Sequence, residues 1–159
     1  MAKNVRILFM DVDGTLTDGK LNVGENGEVF KAFDVKDGCG IHDMLPAHGI
    51  IPVIITGRVS GIVERRAAEL GIEELYQGKK DKVKTLYHVL EKYGCTVDEA
   101  AYIGDDLPDL PCMELCGVAG CPSDAVKAIR DKCEYVCRAQ GGCGAVREFI
   151  EWLIQPDRG

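Results

Sequence analysis

The stretch that decides the fold lies near the start of the sequence and reads VRILFMDVDGT, residues 5–15. Its first part, Val5 to Met10, is short, continuous and β-rich, which is typical of a central parallel strand buried on both faces. The run ends at two aspartates, Asp11 and Asp13. Polar side chains at the carboxyl end of a buried strand occupy the position where open α/β sheets carry their chemistry.

Outward from this strand, apolar runs alternate with segments of helical period. This alternation predicts an α/β fold, a three-layer Rossmann-like parallel sheet with helices on both faces. A β-hairpin is predicted after the first strand, because Asn26-Gly27 is a strong turn signal between two β-rich runs. We predict further strands at 50–55, 73–76, 100–103, near 118 and at 135–136, and helices at 40–48, after Ser60, and at 81–93, 110–115 and 145–154. Asp37, Ser60 and either Ser123 or Asp124 are candidate helix caps.

Length and charge restrict the class of protein. A chain of 159 residues predicts one domain, residues 1–159, with a composition of 46% hydrophobic and 28% charged residues that is ordinary for a globular protein. The net charge of -7 argues against a nucleic-acid partner, because phosphate backbones are bound by clustered Lys and Arg. No stretch approaches the roughly 20 apolar residues of a membrane span. The N-terminus lacks a signal-peptide pattern, so we expect a cytoplasmic protein.

Eight cysteines are unusual in a chain of this size. None forms a Cys-x-x-Cys pair, although Cys112/Cys116 and Cys133/Cys137 are each four residues apart. A zinc site is one interpretation of these spacings. We favour the other, reduced thiols that act as small buried apolar side chains in a reducing compartment.

Three of the predicted strands end in polar residues that could form one site. These are Asp11 with Asp13, Thr56, and Asp105, which is followed by Asp106 and Asp109. The carboxyl ends of parallel strands lie along one edge of the sheet, so these side chains can converge. Crowded carboxylates repel one another unless a cation joins them, and oxygen-only ligands suit Mg²⁺.

At these residues the chain resembles the haloacid dehalogenase-like phosphatases. Asp11-Val12-Asp13-Gly14-Thr15 matches the Asp-x-Asp-Gly-Thr signature of that family. The other motifs of the family follow in order, with Thr56 after a strand, Lys82 at the start of a helix, and Gly104-Asp105-Asp106-Leu107-Pro108-Asp109 after another strand.

The resemblance implies a role for each matching residue. Asp11 would be the nucleophile that accepts the phosphoryl group, and Asp13 the general acid and base. Asp11, Asp105 and the backbone carbonyl of Asp13 would hold Mg²⁺. Phosphate and substrate would be bound by Thr56, Gly57, Arg58 and Lys82. The roles of Asp106 and Asp109 stay open between the metal shell and helix capping, with a supporting role favoured for Asp109.

Within the family, the chain resembles the capless phosphatases of 3-deoxy-D-manno-octulosonate 8-phosphate, a precursor in lipopolysaccharide synthesis. The segments that carry this similarity include Leu16-Thr17-Asp18-Gly19, Lys31-Ala32-Phe33, Asp37-Gly38, Thr56-Gly57-Arg58, Tyr76-Gln77-Gly78 and Gly144-Ala145-Val146-Arg147-Glu148. The resemblance implies no cap domain and a homotetramer in which neighbouring subunits close the active site over a small phosphorylated sugar acid.

Two positions bear on the exact substrate. Arg58 favours the eight-carbon acid, because a guanidinium binds a carboxylate bidentately; the alternative is a surface arginine paired with the next helix. Cys143 stands where the similar enzymes carry an arginine, which leaves Arg138 or Arg147 as substitutes. A phosphatase of another sugar phosphate, such as a nine-carbon keto-sugar acid, and a non-catalytic oligomerisation module are the competing interpretations.

Overall fold

The centre of the structure, a computed structural model that describes residues 4–156, is a six-stranded sheet. The strands are β1, β4, β5, β6, β7 and β8, at Ile7–Met10, Ile51–Ile55, Glu74–Tyr76, Ala100–Ile103, Val118–Cys121 and Tyr135–Val136. Their order is β5-β4-β1-β6-β7-β8 and every pairing is parallel. The strand that carries the aspartate motif therefore lies at the centre, and the predicted α/β fold is confirmed.

Helices cover both faces of this sheet. They are α1 to α7, at Val35–Cys39, Leu45–Ala47, Gly61–Glu69, Lys82–Tyr93, Leu110–Leu115, Lys127–Arg130 and Ala145–Ile154. A π-helix, Gly40–Met44, joins α1 to α2, and two 3₁₀ turns lie at Val97–Glu99 and Leu107–Asp109. In the part of the chain described, no helix combines the length and the apolar character that a membrane crossing needs.

The core is split into two layers by the alternation of side chains along the strands. Leu8 and Met10 of β1 point to the layer that contains Phe149 of α7. Ile7 and Phe9 point to the opposite layer, against α4 and α5. Because β1 is fully buried on both faces, its carboxyl end is held rigidly where Asp11 begins.

The predicted hairpin is present and projects from the sheet. Its strands are β2, Asn22–Gly24, and β3, Gly27–Phe30. The turn residues are Glu25 and Asn26, and Gly27 takes the left-handed φ of 112° that the return strand requires. Several apolar side chains of the hairpin are exposed, namely Leu21, Val23, Val29 and Phe30.

Two of the predicted caps are wrong. The helix expected at 40–48 begins earlier, at Val35, because Asp34 is its N-cap. The carboxylate of Asp34 accepts hydrogen bonds from the backbone N–H groups of Lys36 and Asp37 in the first turn. Asp37 is buried and accepts the backbone N–H of Arg147 instead, so it stabilises the start of α7.

The cap predicted at Ser123 or Asp124 is also wrong, since α6 begins at Lys127 with Val126 at the cap position. Asp124 accepts the backbone N–H of Gly141 at 3.0 Å and holds the loop that precedes α7. The Ser60 cap is confirmed, with its hydroxyl accepting the N–H of Ile62.

Candidate active site

The predicted site residues lie at the carboxyl edge of the sheet around one open pocket of about 480 Å³. Asp11 follows β1 directly, Thr56 follows β4, and Asp105 lies two residues beyond β6. Strand β1 pairs with both β4 and β6, so these three ends are neighbours. The residues that line the pocket are Asp11, Asp13, Gly19, Thr56, Gly57, Arg58, Lys79, Lys80, Lys82, Asp105, Asp106, Pro108 and Asp109.

Three carboxylates at the floor of the pocket form a group suited to a metal ion. One oxygen from each of Asp11, Asp105 and Asp109 lies within 4.8 Å of the others, and among residues 4–156 this is the only such cluster of His, Cys, Asp or Glu. Burial, together with the negative charge of Asp109, raises the pKa of Asp11 well above its usual value. Burial likewise raises the pKa of Asp105 to about 6. Three carboxylates this close together favour a cation between them, and an oxygen-only donor set of this kind fits Mg²⁺.

Lys82 supplies positive charge to two of these carboxylates. It is the first residue of α4, whose N-terminus is capped by Asp81, and its side chain is almost fully buried. Its Nζ donates to Asp11 Oδ1 at 3.1 Å and to Asp109 Oδ1 at 2.7 Å. Burial alone would lower the pKa of Lys82, but the charges of Asp11 and Asp109 outweigh it and raise the pKa. Lys82 therefore stays an ammonium ion beside the predicted nucleophile.

Asp109 contacts both Lys82 and Asp105. Its Oδ1 accepts from Lys82 and from the hydroxyl of Tyr102, at 2.8 Å, and its Oδ2 accepts the backbone N–H of Asp105 at 3.2 Å. With both oxygens engaged by protein donors, Asp109 orients Lys82 and Asp105. Asp106 lies outside this network, exposed, with its carboxylate accepting the N–H of Leu107 as the cap of a short 3₁₀ turn.

Asp13 has a partner that the sequence did not predict. The Nζ of Lys31, from the hairpin, donates to Asp13 Oδ1 at 2.6 Å and to Glu28 Oε2 at 3.0 Å. The similarity to known phosphatases included Lys31 but suggested no role for it, and an ion pair that depends on the path of the hairpin leaves no local signal in the sequence.

The rim of the pocket is cationic. Arg58, Lys79 and Lys80 are exposed around its mouth, close to the buried hydroxyl of Thr56 at its wall. The hydrogen bond from Ser60, with a smaller contribution from the charge of Arg58, lowers the pKa of Glu28, so Arg58 lies near this carboxylate while its own side chain stays exposed at the rim. A phosphorylated acid would meet positive charge at the rim and at Lys82.

The loop before α7 packs against the aspartate motif. Gly142 donates its N–H to the carbonyl of Thr15 at 3.1 Å. A Cβ on Gly141 would lie 2.0 Å from the carbonyl oxygen of Gly14, so only glycine fits there. Cys143 is exposed in this loop and brings no charge to it.

The cysteines are not part of the site. All eight lie in the described part of the chain as free thiols, and Cys112, Cys121 and Cys137 are buried. Burial raises the pKa of the Cys112 thiol to about 12, as expected of an unreactive apolar side chain.

Comparison with known proteins indicates the same family as the sequence motifs. A model of the haloacid dehalogenase-like hydrolases matches residues 60–150. The 3-deoxy-D-manno-octulosonate 8-phosphate phosphatase of Escherichia coli is 45% identical over 153 residues, which cover 96% of this chain and 81% of the relative.

Two solved structures are similar along nearly the whole chain. The 3-deoxy-D-manno-octulosonate 8-phosphate phosphatase of Moraxella catarrhalis, in complex with magnesium, phosphate and the sugar acid KDO, is 42% identical with a TM-score of 0.91, covering 96% of this chain and 87% of that one. The cobalt-bound phosphatase of Haemophilus influenzae is 38% identical with a TM-score of 0.92, covering 96% and 89%.

A parallel α/β sheet that carries a buried aspartate, a lysine and an acidic cluster suited to a metal ion at one edge is the arrangement of a metal-dependent phosphoryl hydrolase. The chain belongs to the haloacid dehalogenase-like family and, within it, to the group of 3-deoxy-D-manno-octulosonate 8-phosphate phosphatases.

Proposed function

We propose that this enzyme, a Mg²⁺-dependent phosphoric monoester hydrolase, cleaves 3-deoxy-D-manno-octulosonate 8-phosphate to the free sugar acid and phosphate. The reaction would serve lipopolysaccharide precursor synthesis. The observation that carries the proposal is the convergence of Asp11, Lys82 and Asp105 beneath a cationic rim. The high identity to relatives with this activity supports the same substrate.

In the first step, a carboxylate oxygen of Asp11 forms a bond to phosphorus while the bond from phosphorus to the sugar oxygen breaks. Lys82, which donates to Asp11 Oδ1, also faces the phosphoryl oxygens together with Thr56. Asp13 gives its proton to the departing sugar oxygen, so the sugar acid leaves as an alcohol.

In the second step, Asp13 takes a proton from water as the water oxygen attacks the phosphorus of the aspartyl phosphate. The bond to Asp11 breaks, and phosphate and a free carboxylate result. Asp11, Asp105 and the backbone carbonyl of Asp13 would hold Mg²⁺, which supplies positive charge against the repulsion between the phosphate and the carboxylates. Asp109 keeps Lys82 and Asp105 in place throughout.

Arg58 is the residue that we assign to the carboxylate of the substrate. It lines the rim of the pocket with its side chain exposed. A guanidinium bound bidentately to a carboxylate contributes affinity that a neutral sugar phosphate cannot obtain.

The test compares kcat/KM for three substrates, the eight-carbon acid phosphate, a nine-carbon keto-sugar acid 9-phosphate and glucose 6-phosphate. We expect the eight-carbon acid to have the highest kcat/KM. Arg58→Ala should lower kcat/KM for this substrate about tenfold to a hundredfold and change kcat/KM for glucose 6-phosphate little. Arg65→Ala, an exposed arginine on α3, is the matched control. Preference for the nine-carbon acid would reassign the substrate, and no hydrolysis of any ester would favour an oligomerisation module.

We also propose that the chain acts in the cytoplasm as a single capless domain within a homotetramer. The elements between Gly14 and strand β4 are the hairpin and the α1–α2 segment, which supports the absence of a cap. Phe30 is 54% exposed and Val29 is 62% exposed on the hairpin, an apolar surface of the kind that subunits bury. Sedimentation of Phe30→Glu should give smaller species than the wild type; an unchanged tetramer would exclude the hairpin as the interface.

A further inference from the structure

A buried ion pair joins the hairpin to Asp13. The side chain of Lys31 is only 2% exposed, and its Nζ lies 2.6 Å from Asp13 Oδ1 and 3.0 Å from Glu28 Oε2. Lysine is almost never buried to this degree unless it is paired. The two carboxylates are themselves only 21% and 17% exposed, so the three charges form one partly desolvated group.

We propose that Lys31 is a positioning residue for the proton transfer at the sugar oxygen, acting through Asp13. The ammonium group occupies Oδ1 of Asp13, which fixes the plane of the carboxyl group and leaves Oδ2 for the substrate. This inference rests on the role proposed above for Asp13 as general acid. It adds a residue from outside the four sequence motifs.

The orientation of Lys31 is itself fixed by the loop that carries Thr56. Glu28 Oε1 accepts a hydrogen bond from the hydroxyl of Ser60 at 2.6 Å, and the backbone N–H of Ser60 donates to Gln77 Oε1 at 2.9 Å. Ser60 also caps α3, so this contact joins Glu28 to the start of that helix. The chain of contacts therefore connects the hairpin, the phosphate-binding loop and Asp13.

The leaving group separates positioning from a purely structural role. When the bond between phosphorus and the sugar oxygen breaks, the electron pair stays on that oxygen, which takes the proton of Asp13. With p-nitrophenyl phosphate the leaving phenolate is stable and needs no proton. A misoriented Asp13 therefore slows the sugar ester selectively, whereas a general loss of structure slows both esters alike.

The experiment measures kcat/KM, which covers steps up to release of the alcohol, for both esters with Mg²⁺. We expect Lys31→Met to lower the value for 3-deoxy-D-manno-octulosonate 8-phosphate about tenfold to a hundredfold more than for p-nitrophenyl phosphate, since general acid catalysis contributes about 10²–10⁴-fold. Lys31→Arg, which can still donate to Oδ1, should recover much of the difference. Glu28→Gln, which weakens the hold on Lys31, should show the same selectivity to a smaller degree and serves if Lys31→Met does not fold.

Two controls make the outcome decisive. Asp13→Asn must show the selective loss in full; if it does not, the role of Asp13 fails and the proposed mechanism with it. Lys92→Met removes the ion pair of a lysine with Glu74 at the far end of α4, and should lower thermal stability without changing the ratio of the two substrates. Suppose that Asp13→Asn slows the sugar ester selectively, but Lys31→Met and Glu28→Gln either slow both esters equally or slow neither. The inference about Lys31 is then overturned while the proposed function stands.

Discussion

Replacing Asp105 by asparagine should stabilise the metal-free enzyme even though it removes a proposed metal ligand. Asp105 lies beside Asp11 and Asp109 at the floor of the pocket, where the three oxygens are within 4.8 Å of one another. The substitution keeps an oxygen that can accept the hydrogen bond from Thr15, at 3.2 Å in the wild type. It removes one negative charge from a crowded, partly buried group.

The size of the effect follows from the pKa. A carboxyl group whose pKa rises from the ordinary 3.8 to about 6 costs the folded protein about 3 kcal/mol at pH values above 6. The cost comes mainly from burial and less from the charge of Asp109. Because water in the open pocket reduces both, we expect Asp105→Asn to gain about 1–2 kcal/mol. The folded state binds the proton more tightly than the unfolded state, so the cost is absent below about pH 4 and complete above about pH 6.

Thermal unfolding in excess chelator at pH 4 and pH 7.5 measures this directly. We expect the variant to melt about 2–8 °C above the wild type at pH 7.5 and level with it at pH 4, since 1 kcal/mol shifts Tm by about 2–4 °C in a domain of this size. Millimolar Mg²⁺ should reverse the order of the two melting temperatures, because Mg²⁺ binds the wild type more tightly than the variant. A variant that is no more stable in chelator, or equally stabilised at both pH values, would refute the reasoning.

Three further substitutions test other contacts. Tyr102→Phe removes the hydroxyl that donates to Asp109 at 2.8 Å, so we expect urea denaturation to show a loss of about 1–2 kcal/mol and kcat to fall several-fold; an unchanged kcat would contradict the role of Asp109 in orienting Lys82. Asp37→Asn should raise Tm above pH 6 but not below pH 4, because burial raises the pKa of Asp37 to about 6; a gain independent of pH would count against this. Gly141→Ala places a Cβ 2.0 Å from a backbone carbonyl oxygen, so we expect a loss of about 1–3 kcal/mol together with reduced turnover; a fully active and stable variant would show that the loop moves freely.

The sequence predicts the edge of the sheet well because the signals there are local. An apolar run that stops at Asp11, and another that stops at Thr56, specify both the strand and the residue at its end. Helices α5 and α7 also begin and end where their periodicity predicts. Once β1 lies between β4 and β6, the convergence of the strand ends follows from the topology.

The contacts that were missed join residues far apart in the sequence. Lys31 reaches Asp13 across 18 positions, by a path that depends on the length and bulge of the hairpin. Asp37 accepts the N–H of Arg147 across 110 positions, and the nearby Asp34 competes for the role of cap. Two aspartates three residues apart offer the same local chemistry, so only tertiary packing decides which one caps α1 and which one supports α7.

The most direct test of the account is phosphate release from 3-deoxy-D-manno-octulosonate 8-phosphate by the wild type and by Asp11→Asn, with Mg²⁺ and with excess chelator. We expect fast release by the wild type in Mg²⁺, loss of activity in chelator, and no activity in Asp11→Asn although thermal unfolding shows it to be folded. Release by folded Asp11→Asn at a rate near that of the wild type, or release that persists in chelator, would contradict the assignment of Asp11 as the nucleophile at a Mg²⁺ site.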